Sequence, residues 1–585
     1  MGDTVRRLGY FIWDFIYVEA STNRRSWLQR WWHSVVDFLY IEAAIHATPK
    51  PSRSHSLKTR MYLHRLAYTL LTFGVCGVIY GGAYWLYQQN LTNPKTIENF
   101  FLAYKDTYDY NRYIGEPRLT AAENLLLGHR VSAAPAASYA TSVPVLMYHR
   151  ITAVGNDTYN VTPTAFKAQM FALKKAGYTT VSAEDYGDFI QGTKKLPAKS
   201  VLLTFDDGTK DSYYGADPVL KALGFRATNF IITRYSIEDP NGSHYYLSEI
   251  ELKAMERTGR WDMEVHTRDG HTYYATGPNG QKGEYYPSKL WLSTKHRLET
   301  DAEYAARVYN DMRIAKQELQ NFTHKPENLF AFPFSDMGEN NSSNYHAAPT
   351  VLTTDVQKLF KNAMMLYYPG RDQSQGYYNS KQPLTYRIGL GLGQWTNGQG
   401  LVKFIQNGAA KPLPYTDDLQ TNHGWQAAWG ETRVRNGTLA VNGTKDSTGA
   451  GVILDGASGW VNYTLSAQAT LEQGTSYGLI ARMRGDIYRT GCYFGQGYVS
   501  IRHNERANGK TIAEKNMGGL VVIGHSEQVG VRVLGNHIAC TVNGKVVLQT
   551  TDTTMPAIGG IGVSVWDPKK PAQLSLTNIK VTSIE

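Results

Sequence analysis

Val201-Leu-Leu-Thr-Phe-Asp-Asp-Gly208 is the stretch whose reading decides the fold. Val201 to Phe205 has the length and apolar content of a buried strand, and Gly208 permits the turn that ends it. Asp206 and Asp207 therefore stand together at a strand end that faces a cleft. Adjacent carboxylates repel. Burying both is tolerable only where a cation neutralises one and the other is hydrogen-bonded or lends its basicity to chemistry. Taken alone, the pair is equally a capping Asp beside a solvated one.

Outward from this strand, compact apolar runs alternate with amphipathic segments: Val143–Tyr148, Pro163–Ala176, Pro218–Leu223, Ala227–Ile232, Leu247–Arg257, Met263–His266, Asp301–Phe322 and Leu329–Pro333. Alternation of this kind predicts an α/β domain over 143–405, either a barrel or a layered parallel sheet. Ionisable residues at the strand ends are then the site candidates. A second cluster, Glu264-Val-His266-Thr-Arg-Asp-Gly-His271, again follows an apolar strand. Histidines five residues apart do not share a helical face, but a tight loop through Gly270 converges them on one ion. With one carboxylate they make a two-His, one-carboxylate set that leaves coordination positions open for water and substrate.

The 585 residues are too many for one ordinary core and predict two to four structural units. From about Asn422 the texture changes to short β-rich runs broken by Gly and Asn, which predicts an all-β sandwich over 420–585. It resembles the concanavalin-like or laminin-G jelly rolls, and glycan binding or simple packing against the rest of the chain suits it equally. The formal net charge is +10. Its basic residues are scattered rather than gathered in an aromatic-interleaved tract, which excludes nucleic acid as the expected partner. The 40 tyrosines and 12 tryptophans include flat side chains suited to sugar rings. Of three cysteines only Cys492 and Cys540 have a plausible partner in each other, and a single bridge or two buried thiols both fit.

Leu66 to Tyr87, LAYTLLTFGVCGVIYGGAYWLY, carries no charge and is long enough to cross a hydrocarbon core of roughly 30 Å. Arg53, Lys58, Arg60 and Arg65 crowd its N-terminal flank, so residues 1–65 are expected in the cytoplasm and everything after it outside. That predicts a single-pass protein of the cytoplasmic (inner) membrane, with a catalytic domain that is periplasmic in a cell with an outer membrane. The cytoplasmic part holds a repeat, Asp14–Ala20 against Asp37–Ala43, which reads as amphipathic helices on the inner leaflet or as ordinary packing helices. Residues 88–142 read as a helical stalk ending in an Ala/Ser/Pro linker.

Four blocks in order, Pro144-Val-Leu-Met-Tyr-His-Arg-Ile151, Thr204–Gly208, His266-Thr-x-x-x-His271 and Phe330-Ala-Phe-Pro-Phe334, resemble the polysaccharide deacetylases of carbohydrate esterase family four, the NodB-like enzymes. The resemblance runs over roughly residues 143–400 and is nearest to the biofilm branch that deacetylates poly-β-1,6-N-acetylglucosamine. It implies a deformed (β/α) barrel with a divalent metal, usually zinc. It also implies roles: Asp207, His266 and His271 as metal ligands, Asp206 as general base, and a backbone N–H near Pro333-Phe334 as oxyanion donor. The family's Leu-x-His acid is missing between Leu384 and Gln406, and the permuted motif order of the biofilm branch points to His149 instead. Ala331 stands where the family commonly has an Arg that orients the base, and Phe334 where it has Tyr. Asp269 and Asp336 are candidates to orient the histidines or the base. Tyr273 and Trp291 are candidate sugar-stacking walls.

The function implied is metal-dependent hydrolysis of N-acetyl groups on an extracytoplasmic hexosamine polymer. Its partners would be that acetylated polysaccharide, the membrane and the exopolysaccharide synthesis or export machinery. O-acetyl ester hydrolysis and a non-catalytic polysaccharide-binding or secretion scaffold are the alternatives.

Overall fold

The computed structural model describes residues 138–152, 159–238, 245–338, 342–366, 375–391, 398–484, 488–505 and 508–585, with scattered helical positions between Leu70 and Gln88. The N-terminal repeat, Asp14–Ala20 against Asp37–Ala43, and nearly all of residues 88–142 lie outside the described residues. So does most of Leu66–Tyr87. Within that span Gly77–Trp85 is helical, with Val78, Ile79 and Tyr80 exposed. Among the described residues no helix is long and apolar enough to cross a membrane.

Seven strands carry the α/β half: β1 (Ser142–Tyr148), β2 (Ser200–Phe205), β3 (Ala227–Ile232), β4 (Trp261–Thr267), β5 (Leu329–Ala331), β6 (Asn362–Leu366) and β7 (Leu384–Gly389). Each pairs in parallel with the next, and β1 also pairs with β7, Leu146 lying opposite Ile388, so the sheet closes on itself. Every residue of β2, β3, β5 and β6 is buried, as parallel strands covered on both faces must be. The result is a seven-stranded barrel, so of the two architectures open to the residue pattern the barrel is the one adopted.

Among the described residues seven helices of nine residues or more alternate with or flank the strands: α1 (Pro163–Lys175), α2 (Ala183–Gln191), α3 (Lys210–Leu223), α4 (Glu249–Arg257), α5 (Asp301–Thr323), α6 (Ala348–Leu359) and α7 (Gly398–Asn407). Their starts follow from local chemistry. Thr162 caps α1 ahead of Pro163, Thr209 caps α3, and Thr300 with Glu303 forms a reciprocal capping box at α5. Tyr148 and Phe205 stack at 5.3 Å and meet Phe166 of α1 edge-on, at 5.2 Å from Tyr148. Because strand residues alternate in direction, the residues that follow, His149 and Asp206, are sent the other way, toward the barrel mouth.

The C-terminal half is a two-sheet sandwich. One sheet runs in the order β8 (Trp425–Trp429), β9 (Ala450–Leu454), β14 (Gly560–Trp566), β10 (Ser476–Arg484), β11 (Tyr488–Gly495), β12 (Tyr498–Glu505), β13 (Asn508–Asn516), all antiparallel. The other has eight strands, among them His537–Val542. Leu454, Leu479, Val531 and Leu576 are among the apolar residues that fill the space between them. Cys492 of β11 and Cys540 of the facing sheet are joined by a fully buried disulfide, with Cα atoms 5.5 Å apart. Of the two cysteine states the sequence left open, the structure has the bridge.

Candidate active site

The mouth of the barrel gathers the C-terminal ends of β1, β2, β4, β5 and β7. Asp206 N–H donates to the Tyr148 carbonyl at 2.9 Å, which continues the β1–β2 pairing and sets His149 beside the Asp pair. Asp207 then turns into the left-handed region at φ 73°, and Gly208 follows at φ 69°. Asp tolerates that conformation better than most residues, and the turn swings the two carboxylates to different sides.

Asp207 faces the histidines. One ligand atom from each of Asp207, His266 and His271 lies within 4.8 Å of the others. Both imidazole Nε2 atoms are 3.3 Å from Asp207 Oδ1. That oxygen is buried, with the two imidazoles as its polar neighbours. Two imidazole nitrogens converging with one buried carboxylate oxygen make the three-donor set a divalent cation takes, so the residues fit the metal. His266 Nδ1 lies 2.7 Å from the Ala331 carbonyl, so as a donor it leaves Nε2 free to ligate. Burial alone would lower the His266 pKa, but the Asp207 hydrogen bond and the charges of Asp206 and Asp207 outweigh it and hold it above the usual histidine value. For Asp207, burial pushes up, and the His266 hydrogen bond with the charges of His149, His271 and His266 brings it well below the carboxylate range. His271, by burial, is lowered.

Asp206 is held quite differently. Arg387, projecting inward from β7 and wholly buried, grips it with two hydrogen bonds of 2.6 Å, Nη1 to Oδ1 and Nη2 to Oδ2. Burial raises the Asp206 pKa, but the Arg387 charge and hydrogen bonds, helped by His266 and His149, bring it net below the usual value. Ala331 on β5 brings no charge to Asp206, and the guanidinium that holds it comes from another strand. The sequence signal was one arginine in Leu384-Thr-Tyr-Arg-Ile-Gly389, a strand otherwise without charge. A buried cation there requires a buried anion.

His149 turns toward the same site, since its charge acts on Asp206, Asp207 and His271. Its Nδ1 is buried without a hydrogen bond, and its ring lies 5.0 Å from Tyr159. Phe334 adopts φ 56° in the short turn begun by buried Pro333, which lays its ring 4.5 Å from His271 and 5.2 Å from Tyr273. Tyr273 is 53% exposed, as an open wall of the cleft would be. Trp291 sits in the small Trp291–Leu292/Arg297–Leu298 hairpin and makes no ring contact with the site among the described residues.

The orienting roles expected of Asp269 and Asp336 need correction. Asp269 pairs with Arg234 and, at 2.7 Å, with Arg268, and Asp336 accepts the Gly338 N–H at 2.6 Å. The carboxylate that does organise the histidine loop is Asp311 of α5, which the sequence reading missed. It accepts from Thr267 Oγ1 (2.7 Å), Tyr286 OH (2.5 Å), Arg268 N (3.1 Å) and Asp269 N (2.7 Å). Gly270 N in turn donates to Thr267 Oγ1 at 2.7 Å, and a Cβ at Gly270 would lie 2.4 Å from the Tyr286 ring. Replacing Asp311 by Ala strands four donors and is expected to cost about 3 kcal/mol in denaturant unfolding. It should also weaken zinc binding by about tenfold or more, measured by titration calorimetry, because His271 loses its fixed approach.

Residues 193–349 match the family model described as polysaccharide deacetylase. YxkH of Bacillus subtilis (strain 168) is 35% identical over 181 residues, covering 31% of this chain and 62% of that protein. The poly-beta-1,6-N-acetyl-D-glucosamine N-deacetylase of Staphylococcus aureus (strain MRSA252) is 27% identical over 181 residues, covering 31% of this chain and 56% of that enzyme. The chain thus spans less than two thirds of either relative's length. Among solved structures, a de-N-acetylase from Aggregatibacter actinomycetemcomitans is 18% identical with a TM-score of 0.36, covering 43% of this chain and 96% of that one. The matched stretch, which holds both carboxylates, both histidines and Phe334, is a polysaccharide deacetylase domain by its similarity to that family model.

Proposed function

We propose that the chain removes N-acetyl groups from an exported hexosamine polymer, as the name of its staphylococcal relative suggests for that enzyme. The observation that carries this reading is the split of the Asp pair: Asp207 joins two histidines while Asp206, clamped by Arg387, stays outside the set. A divalent metal, zinc by preference, held by Asp207, His266 and His271, would supply Lewis acidity toward water and the acetyl oxygen. Asp206 takes the proton of the attacking water, and its low pKa keeps it ionised and ready at neutral pH. The backbone N–H near Pro333-Phe334 donates to the oxygen on which negative charge develops. His149 delivers a proton to the departing amine, so the products are acetate and a free amino sugar.

An outward-facing location rests on two supports. Cys492 and Cys540 form a bridge of a kind that persists in oxidising compartments, and the basic flank before Leu66 orients the apolar run with its C-terminal side outward. On this reading the chain is a single-pass protein of the cytoplasmic membrane, working beside exopolysaccharide synthesis or export machinery.

The test is acetate release by the full chain in detergent, with zinc, on β-1,6- and β-1,4-linked N-acetylglucosamine oligomers and on an O-acetylated polymer. Release from an N-acetylated oligomer, abolished in Asp206→Asn, is expected. Release from the O-acetylated polymer alone would replace the amidase by an esterase.

A further inference from the structure

The outer face of the seven-stranded sheet bears a set of side chains that the barrel chemistry does not use. One register row crosses six strands: Trp429, Gly451, Ser564, Gly478, Tyr493, Ser500. The aromatic rings in and beside it lie flat. A Cβ at Gly451 would be 2.2 Å from the Trp429 ring, one at Gly478 2.7 Å from Tyr493, and one at Gly495 2.3 Å from Tyr498. Each glycine is thus the seat of a neighbouring ring, which fixes that ring's orientation before any ligand arrives.

The face is also curled. Trp429 belongs to β8 and Arg489 to β11, four strands away, which in a flat sheet is roughly 19 Å. Yet the Arg489 guanidinium carbon is 5.3 Å from the Trp429 ring centroid. The two side chains therefore meet across the face, and Ile453, Ile480 and Met483 form a small apolar cluster separate from the core between the sheets. Arg502 lies on the same face, 5.0 Å from the Tyr493 centroid and 5.8 Å from that of Tyr498, with Nε donating to Ser500 Oγ at 3.1 Å. Neither Arg489 nor Arg502 has a carboxylate partner among the described residues. The carboxylate in this row, Glu514, lies beyond Ser500 on the edge strand β13. Trp566, two residues past Ser564 on β14, leaves 55% of its surface open to solvent.

We propose that this face binds a neutral, N-acetylated sugar chain and disfavours its deacetylated, cationic product, the choice of chain resting on the hydrolase reading above. Flat rings suit the C–H faces of pyranoses, and the guanidinium N–H groups are donors for hydroxyl and acetamide oxygens. An amino-sugar ammonium offers no acceptor to those donors and meets two like charges instead. The sandwich would hold unreacted stretches near the barrel and release finished ones.

The experiment uses the full chain carrying Asp206→Asn, so that nothing turns over, titrated calorimetrically with N-acetylglucosamine hexamer, glucosamine hexamer and an acidic control, galacturonate hexamer. Trp566→Ala and Tyr498→Ala are each expected to weaken the acetylated hexamer by about tenfold, the loss of one stacking contact. Arg489→Gln with Arg502→Gln is expected to narrow the preference for the acetylated over the amino hexamer. Unchanged affinity in the aromatic variants, equal binding of the two hexosamine hexamers, or tightest binding of the galacturonate would overturn the proposal. Acetate release from short oligomers by chains with an intact Asp206 separates the two readings. No release from any acetylated probe would sink the hydrolase and leave the binding result standing.

Discussion

Replacing Arg387 by Met is expected to lower acetate release by about 10²–10³-fold, the order of a general-base contribution, while zinc content stays near that of the unmodified chain. Arg387 is wholly buried and touches Asp206, not the three metal donors, so the two readouts should separate. Without it, burial becomes the dominant influence on Asp206 and raises its pKa, so less of the base is ionised at a given pH and the activity profile moves to higher pH. Stability should fall with a recognisable sign. In the native chain Asp206 has a lowered pKa, so its contribution is present above the unfolded value of about 4 and is lost as pH falls through the folded one. In the variant the folded pKa lies above the unfolded value, so ionisation opposes folding. The gap in unfolding free energy between the two chains, read from denaturant melts, should therefore widen from pH 5 to pH 7.5, reaching about 3–5 kcal/mol. Arg387→Lys keeps the charge but loses the two-pronged grip and should fall between them. Full activity with an unshifted pH profile in Arg387→Met would remove Arg387 from the account.

His271→Ala and Asp207→Ala should each take metal content below about a tenth of an equivalent and reduce acetate release by about 10³-fold or more. Atomic emission on dialysed protein and an acetate assay read the two effects. Zinc affinity should also drop as pH falls, because ligation needs unprotonated imidazoles. His266 has a pKa held above the usual histidine value of 6.5, so proton competition begins above that pH, with His271, whose pKa is lowered, joining only at lower pH. Titration calorimetry at pH 6 and 8 should show affinity weakening by about tenfold for each proton displaced per pH unit. A chelator should abolish activity and added zinc restore it. Retention of one metal equivalent in both variants would move the site elsewhere.

Much of the site was legible because it is local in sequence. Asp206, Asp207 and Gly208 follow a strand, and His266 and His271 flank a glycine loop, so chemistry and spacing appear together within a few residues. The β-rich texture after Asn422 was legible for the same reason, since alternation and turn residues are short-range signals. The partners that position the site lie far away in the chain. Arg387 is 181 residues from Asp206, and Asp311 is 44 from Thr267. No pattern within either segment names the other, because the pairing exists only when strands β2 and β7, or strand β4 and helix α5, are packed in one barrel. The same holds for Asp269, whose place in the histidine loop suggested a contact with the ligands but whose side chain is claimed by Arg234 and Arg268.

The sequence by itself determined which residues can do chemistry here: a carboxylate pair, two converging histidines, a histidine ahead of them and an aromatic turn. It also determined that an α/β half precedes a β-rich one. The tertiary structure decided how that chemistry is divided. Barrel closure brings Arg387 to Asp206 and helix α5 to the histidine loop, so one carboxylate is committed to the metal donors and the other to a guanidinium. Sandwich packing joined Cys492 to Cys540 and curled seven strands until Trp429 and Arg489 met. In each case the deciding interaction is between segments distant in sequence, where burial forbids an unpaired charge or an empty space and only the folded chain supplies the partner.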